Sequence, residues 1–186
     1  MDLTAEEKKF LLHIAREAIT AALSRLSQND YATQSSLTPA LLIKAGAFVT
    51  LEIHHRLRGC VGLIESEKPL YETVSEAAVS AALYDSRFPP LTIPELSEIE
   101  IEISVLSPME KMNSADMLEV GRHGLLMVSG RNHGLLLPQV AAEYRWDNAT
   151  FLEQTCAKAG LVKDAWKWPQ TEIYLFTANV FNEASV

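Results

Sequence analysis

Residues 47–64 read "AFVTLEIHHRLRGCVGLI". Two strand-like runs, Ala47–Ile53 and Leu57–Ile64, flank "HHR", which is a hairpin pattern. In an extended chain, side chains alternate between faces. Leu57, Gly59, Val61 and Leu63 then share one face, expected to be buried, and Arg58, Cys60 and Gly62 share the other. That spacing leaves Arg58 and Cys60 roughly 6–7 Å apart along the strand. A guanidinium at that range favours a thiolate and lowers the thiol pKa. Glycine weakens a strand interior, so Gly59 and Gly62 imply a bulge, a positive φ, or the close approach of a ligand or a second backbone. A plainer account also fits: Cys60 is a small apolar residue, and the glycines make room for a helix. These residues alone leave both accounts open.

Working outward, the helix that needs that room follows at once. Pro69 suits a first helical turn, and Val74, Ala77, Ala78, Ala81 and Leu83 give the segment an alanine-rich apolar side ending near Tyr84. The three prolines of "DSRFPPLTIPEL" (85–96) predict an ordered, irregular loop. "EIEIEISV" (98–105) alternates cleanly, with Ile99, Ile101, Ile103 and Val105 facing a core and Glu98, Glu100 and Glu102 facing water. Before the hairpin, Thr4 and Glu7 form a capping-box pattern. Apolar residues at helical spacing from Phe10 to Leu26 then predict a helix to about Ser27, with an exposed loop over 28–36. After the hairpin, "HGLL" at 123–126 and 133–136 flanks "SGRN", a second hairpin. Pro138 opens a short helix to about Tyr144. Asp147 or Asn148 caps another that ends at Gly160. "TEIYLFTANVF" (171–181) reads as one final strand. Strands paired in hairpins with irregularly spaced helices define an α+β fold with a mainly antiparallel sheet and packed helices.

The bulk composition agrees. The chain has 186 residues, 48% hydrophobic and 22% charged, enough to bury a core without staples. Its 16 basic and 24 acidic residues give a net charge of −8. That disfavours nucleic acid or an anionic membrane as partner, because phosphate binding needs clustered Lys and Arg. No stretch approaches the roughly 18 apolar residues of a membrane span. Two cysteines make no disulfide framework. The opening Met1-Asp2-Leu3-Thr4 followed by charges lacks a signal-peptide pattern, so a reducing cytoplasm is the expected location.

Motif chemistry is sparse. No G-x-S-x-G, G-x-x-x-x-G-K or G-x-G-x-x-G occurs, which removes support for serine-hydrolase, P-loop and Rossmann readings and leaves no cofactor indicated. No HxH, HxxxH or CxxC spacing occurs. With "SGRN" as the turn, His123 lies opposite about Leu136 and His133 opposite about Leu126, on the order of 10 Å apart. No metal is expected there. Cys156 lies on a helical apolar face with Leu152 and Ala159 and reads as core. Asp85 and Arg87 read either as a site or as an ion pair pinning the proline loop. Gln139 and Glu143 share one helix face, and Trp146, Trp166 and Trp168 fill a core or cover a loop.

The chain as a whole resembles the AMMECR-one domain family, whose prokaryotic members are called AmmeMemoRadiSam system protein A. The likeness is carried by "LRGCVG" (57–62), with Val61 where the family hexapeptide has Ile, and by "DSRFPPL" (85–91), "ISVLSP" (103–108), "GRHGLLM" (121–127), "LLLPQVA" (135–141), "FLEQTCAKAGL" (151–161) and "AWKW" (165–168). It implies one domain over 1–186 with two unequal lobes, a cleft between them, and a smaller lobe within about 110–170. It implies association with a Memo-like protein and a radical SAM protein, and it names no reaction. It raises Arg58, Gly59, Cys60 and Gly62 as site candidates, with Asp85, Arg87, Phe88, His123 and Gln139 at motif positions. Two functions follow. In the first, an enzyme, Cys60 is a nucleophile or ligand, Arg58 activates it and holds an anionic group, and His123 is the acid or base. In the second, the chain is a non-catalytic binding module for those partners.

Overall fold

The structure, a computed structural model, describes residues 2–24 and 37–186. The expected helix end near Ser27 and the loop over 28–36 lie outside the described residues. The chain divides into two compact units, one made of the chain up to Leu106 with Asn179–Val186, the other of Ser107–Ala178.

The first unit is built on a four-stranded sheet in the order β2-β1-β3-β8, from β1 (Ala47–Ile53), β2 (Arg56–Leu63), β3 (Ile99–Leu106) and β8 (Ala178–Asn182). β1 runs antiparallel to both β2 and β3. Helices α1 (Ala5–Ser24) and α2 (Leu70–Leu83) cover one face. Ala47, Val49 and Leu51 of β1 and Ile99, Ile101, Ile103 and Val105 of β3 are buried with Leu11, Ala15 and Ile19 of α1 and Val74, Ala78 and Ala81 of α2. The strict alternation of β3 produces this, because one buried face admits one register. The capping box forms as the sequence predicts: Glu7 N–H donates to Thr4 Oγ1 at 3.3 Å and Thr4 N–H donates to Glu7 Oε2 at 2.8 Å. The hydroxyl of Thr38 also donates to Glu7 and, with Thr4, holds its carboxyl below the usual glutamate range.

The second unit carries a four-stranded antiparallel sheet in the order β4-β7-β5-β6. Its strands are β4 (Glu110–Lys111), β5 (Gly124–Ser129), β6 (Asn132–Leu136) and β7 (Glu172–Phe176), with helices α3 (Pro138–Glu143) and α4 (Asn148–Lys158). Asp147 caps α4 by accepting Thr150 N–H at 2.7 Å, and Gly160 follows the helix with φ +71. Phe151, Leu152 and Cys156 of α4 are buried against Leu125 and Met127 of β5.

Two expectations are corrected. "TEIYLFTANVF" is two strands, not one: β7 joins the second sheet and β8 the first, with Thr177 between them. Ser107 and Thr177 fix the change of sheet, through Ser107 N–H to the Thr177 carbonyl and Thr177 N–H to Ser107 Oγ, both at 2.9 Å. The β5–β6 register also differs. Ser129 pairs with Asn132, so the turn is Gly130-Arg131 alone, and His133 lies opposite Val128. Gly130, at φ +61, supplies the positive φ that a two-residue hairpin turn needs.

Candidate functional site

β2 is an edge strand, so alternate backbone groups on it point away from β1. Its pairing slips by one residue between Leu51 and Glu52: Leu51 pairs with Gly59, and Glu52 pairs with Leu57. Arg58 is the extra residue of a β-bulge. This overturns the simple alternation. Leu57, opposite Glu52, falls on the same face as Cys60, opposite Thr50, and is 42% exposed rather than buried. Gly59 keeps to the helix side. A Cβ there would collide with the Ala81 carbonyl oxygen of α2, so two of the possibilities raised by the glycines are realised together here, a bulge and the close approach of a second backbone. A Cβ at Gly62 would strike the Ala47 carbonyl and the Phe48 ring.

The loop after α2 lies along this open edge. Asp85 Oδ2 accepts Cys60 N–H at 2.8 Å, and Arg87 Nη2 donates to the Cys60 carbonyl at 3.1 Å. The two side chains thus stand in for a neighbouring strand. They are paired with each other, Nε to Oδ1 at 2.9 Å and Nη2 to Oδ2 at 2.7 Å. Arg87 beside the nearly buried Asp85 carboxyl holds it far below the usual carboxylate range, against the opposing effect of burial, with help from Cys60 N–H. Phe88 is half-buried, its ring centroid 5.5 Å from the Arg87 guanidinium carbon.

Arg58 extends the clamp. Its Nε and Nη2 grip Glu95 Oε1 and Oε2 at 2.8 and 3.2 Å, and Nη1 and Nη2 donate to the carbonyls of Pro89 and Pro90 at 2.9 and 3.3 Å. Arg58 pulls the Glu95 carboxyl down to about 2. The guanidinium that reaches Cys60 is therefore that of Arg87, which bonds its carbonyl and also interacts with its side chain. The sulfur itself meets Thr50, whose hydroxyl donates to Sγ at 3.3 Å. Thr50 and Glu95 were not singled out in the sequence. Thr50 becomes visible once the hairpin register is known, whereas Glu95 carries no local signal.

The structure gathers Arg58, Gly59, Cys60, Asp85, Arg87 and Phe88 on the first unit, with Gly62 further along β2. His123 and Gln139 belong to the second unit. His123 is half-buried and accepts Glu119 N–H on Nδ1 at 3.1 Å, and Gln139 sits half-buried in the first turn of α3. Cys156 is fully buried, with Sγ 3.2 Å from Met127 Sδ, and burial pushes its thiol up. Among the described residues no group of three or more His, Cys, Asp or Glu is placed to hold a metal ion. No described helix is long and apolar enough to cross a membrane.

These features define an α+β protein of two four-stranded sheets, with an ion-paired loop fastened along a cysteine-bearing edge strand. The chain belongs to the AMMECR1 family, whose model matches residues 12–181. It is 45% identical over 190 residues to Protein MK0488 of Methanopyrus kandleri, covering 97% of this chain and 90% of that one. It is 44% identical over 187 residues to a protein of Methanothermobacter thermautotrophicus, covering 97% and 96%. The crystal structure of Uncharacterized Protein PH0010 from Pyrococcus horikoshii superposes with a TM-score of 0.88 at 38% identity, covering 95% of this chain and 91% of that one.

Proposed function

We propose that this protein is a binding module that serves a Memo-like protein and a radical SAM protein, with the loop-clamped β2 edge as the rigid base of its recognition surface. One observation carries the reading. Arg58, Asp85, Arg87 and Glu95 are held chiefly by one another and by the backbone, and Arg87 also interacts with the Cys60 side chain. Charged motif residues engaged in this way hold a shape more readily than they drive a proton transfer. The test is a binding titration of the purified chain against each purified partner. Binding that survives Cys60→Ala, but weakens when Asp85→Ala loosens the loop, is the expected outcome. No association with either partner removes the reading.

A second reading, an enzyme using the Cys60 thiolate, is favoured by the Thr50 hydroxyl on the sulfur and by the Arg87 guanidinium at the Cys60 side chain. That reading expects iodoacetamide to modify folded Cys60 at pH 7 faster than an ordinary thiol of pKa about 8.5, with Thr50→Val slowing it. A Cys60 that reacts only after unfolding excludes it.

A further inference from the structure

The β1–β2 hairpin ends in a cavity of about 580 Å³ lined by Ile53, His54, Arg56, Leu57, Arg58 and Glu95. That volume is in the range of small-molecule sites. Its lining is mixed in a particular way. Ile53 and Leu57 offer apolar surface, and Leu57 is there because the bulge at Arg58 turns it outward. Bulges commonly re-aim side chains beside sites. Arg58 and Glu95 neutralise each other. His54 leans on Glu98 at 3.5 Å. The Arg56 side chain has no hydrogen-bond or ion-pair partner among the described residues, so two guanidiniums face a single carboxylate in the lining. The backbone that carries the site is held in an unusual state: His54 and His55 both have positive φ, 51 and 58, in a turn where Asn-Gly would relieve the strain.

We propose that this cavity binds a monocarboxylate attached to an apolar body, with the carboxylate on Arg56 and the body against Leu57 and Ile53. The charge decides the class. One uncompensated guanidinium matches one negative charge, and a dianion such as a phosphate monoester would keep a second charge unpaired, because Arg58 is already taken by Glu95. The carboxylate can come from a free medium-chain acid or from the C-terminal residue of a peptide, since both present the same group beside the same kind of apolar chain.

The test is a titration of the whole ¹⁵N-labelled chain at pH 7, following its amide resonances. Octanoate is the first probe, with octylamine and octanol as controls of charge. Saturable shifts confined to residues 53–58 and Glu95, with a Kd on the order of 1 mM, are expected for octanoate alone. Arg56→Gln should weaken octanoate about tenfold, the size of one charge-assisted hydrogen bond, and Leu57→Ser should weaken octanoate while leaving acetate unchanged. Both positions are exposed, so the amide spectra of these variants should otherwise match the parent. Acetyl-Ala-Ala-Leu with a free carboxylate, compared with its amide, separates the sources: tighter binding than octanoate assigns a chain terminus, and weaker binding assigns a free acid. Equal binding of octanoate and octanol, an unchanged affinity in Arg56→Gln, shifts centred elsewhere, or no saturable shift overturns the proposal.

Discussion

The Asp85 carboxylate accepts the Cys60 amide N–H at 2.8 Å, at the open edge of its sheet. A buried side chain thereby does what a fifth strand would do, and the salt bridge to Arg87 keeps it ionised. Asp85→Ala removes the acceptor and leaves both the Cys60 N–H and the Arg87 guanidinium short of a partner. A loss of roughly 3 kcal/mol in urea unfolding is expected. Asp85→Asn keeps an acceptor and loses only the charge, so its loss should be smaller. Equal losses in the two variants would show that the charge alone matters.

The Arg58–Glu95 pair makes stability depend on pH. The Glu95 pKa in the fold, about 2, lies below its ordinary value of 4.5. The unfolded chain therefore takes up a proton first as pH falls. The contribution of the pair is complete above the ordinary value and is lost as pH drops from there towards 2. Urea midpoints at pH 7, 4 and 3 should fall more steeply for the parent than for Glu95→Gln, and the two curves should converge at the acid end. Asp85 acts in the same direction over a more acidic span, so the Glu95→Gln variant should still lose some stability at pH 3.

Gly59 touches α2 through its missing side chain. An added Cβ meets the Ala81 carbonyl oxygen, a backbone atom that moves only if the helix moves. Gly59→Ala should cost roughly 3 kcal/mol, the upper part of the range for overpacking. Ala81→Gly should not rescue it, because the clash is with a carbonyl rather than a methyl. Thermal unfolding of the single and double variants decides this.

The parts of the fold that could be read from the sequence are those whose signal is local. The isoleucines of β3 alternate because one face is buried, and the Thr4–Glu7 box, the Asp147 cap and Gly160 each announce a helix end within four residues. The ion pair of Asp85 with Arg87 was legible for the same reason. Its target was not: Cys60 lies 25 residues away, and Glu95 lies 37 residues from Arg58. The bulge was hidden because one inserted residue leaves no gap in a run such as "RLRGCVG", and an exposed Leu57 reads as a buried one. The division between β7 and β8 was hidden because Thr177 continues the run without glycine or proline. Which of two sheets a strand joins is decided by partners elsewhere in the chain.

The turn of the first hairpin offers the last test. Ile53 pairs with Arg56, so His54 and His55 alone make the bend, both with positive φ. A right-twisted hairpin with a two-residue loop favours this mirror-image turn, and Asn-Gly adopts it with least strain. An imidazole side chain there gains little in return: His54 is largely exposed and only leans on Glu98 at 3.5 Å. Replacing His54-His55 by Asn-Gly should therefore raise stability by about 1 kcal/mol, the lower end of what strained positions store. Thermal unfolding reads it as an increase in Tm. If octanoate binding at Arg56 is unchanged in the same variant, the strain serves only to close the hairpin. If binding weakens while stability rises, the two histidines hold the cavity in its binding shape at the expense of the fold.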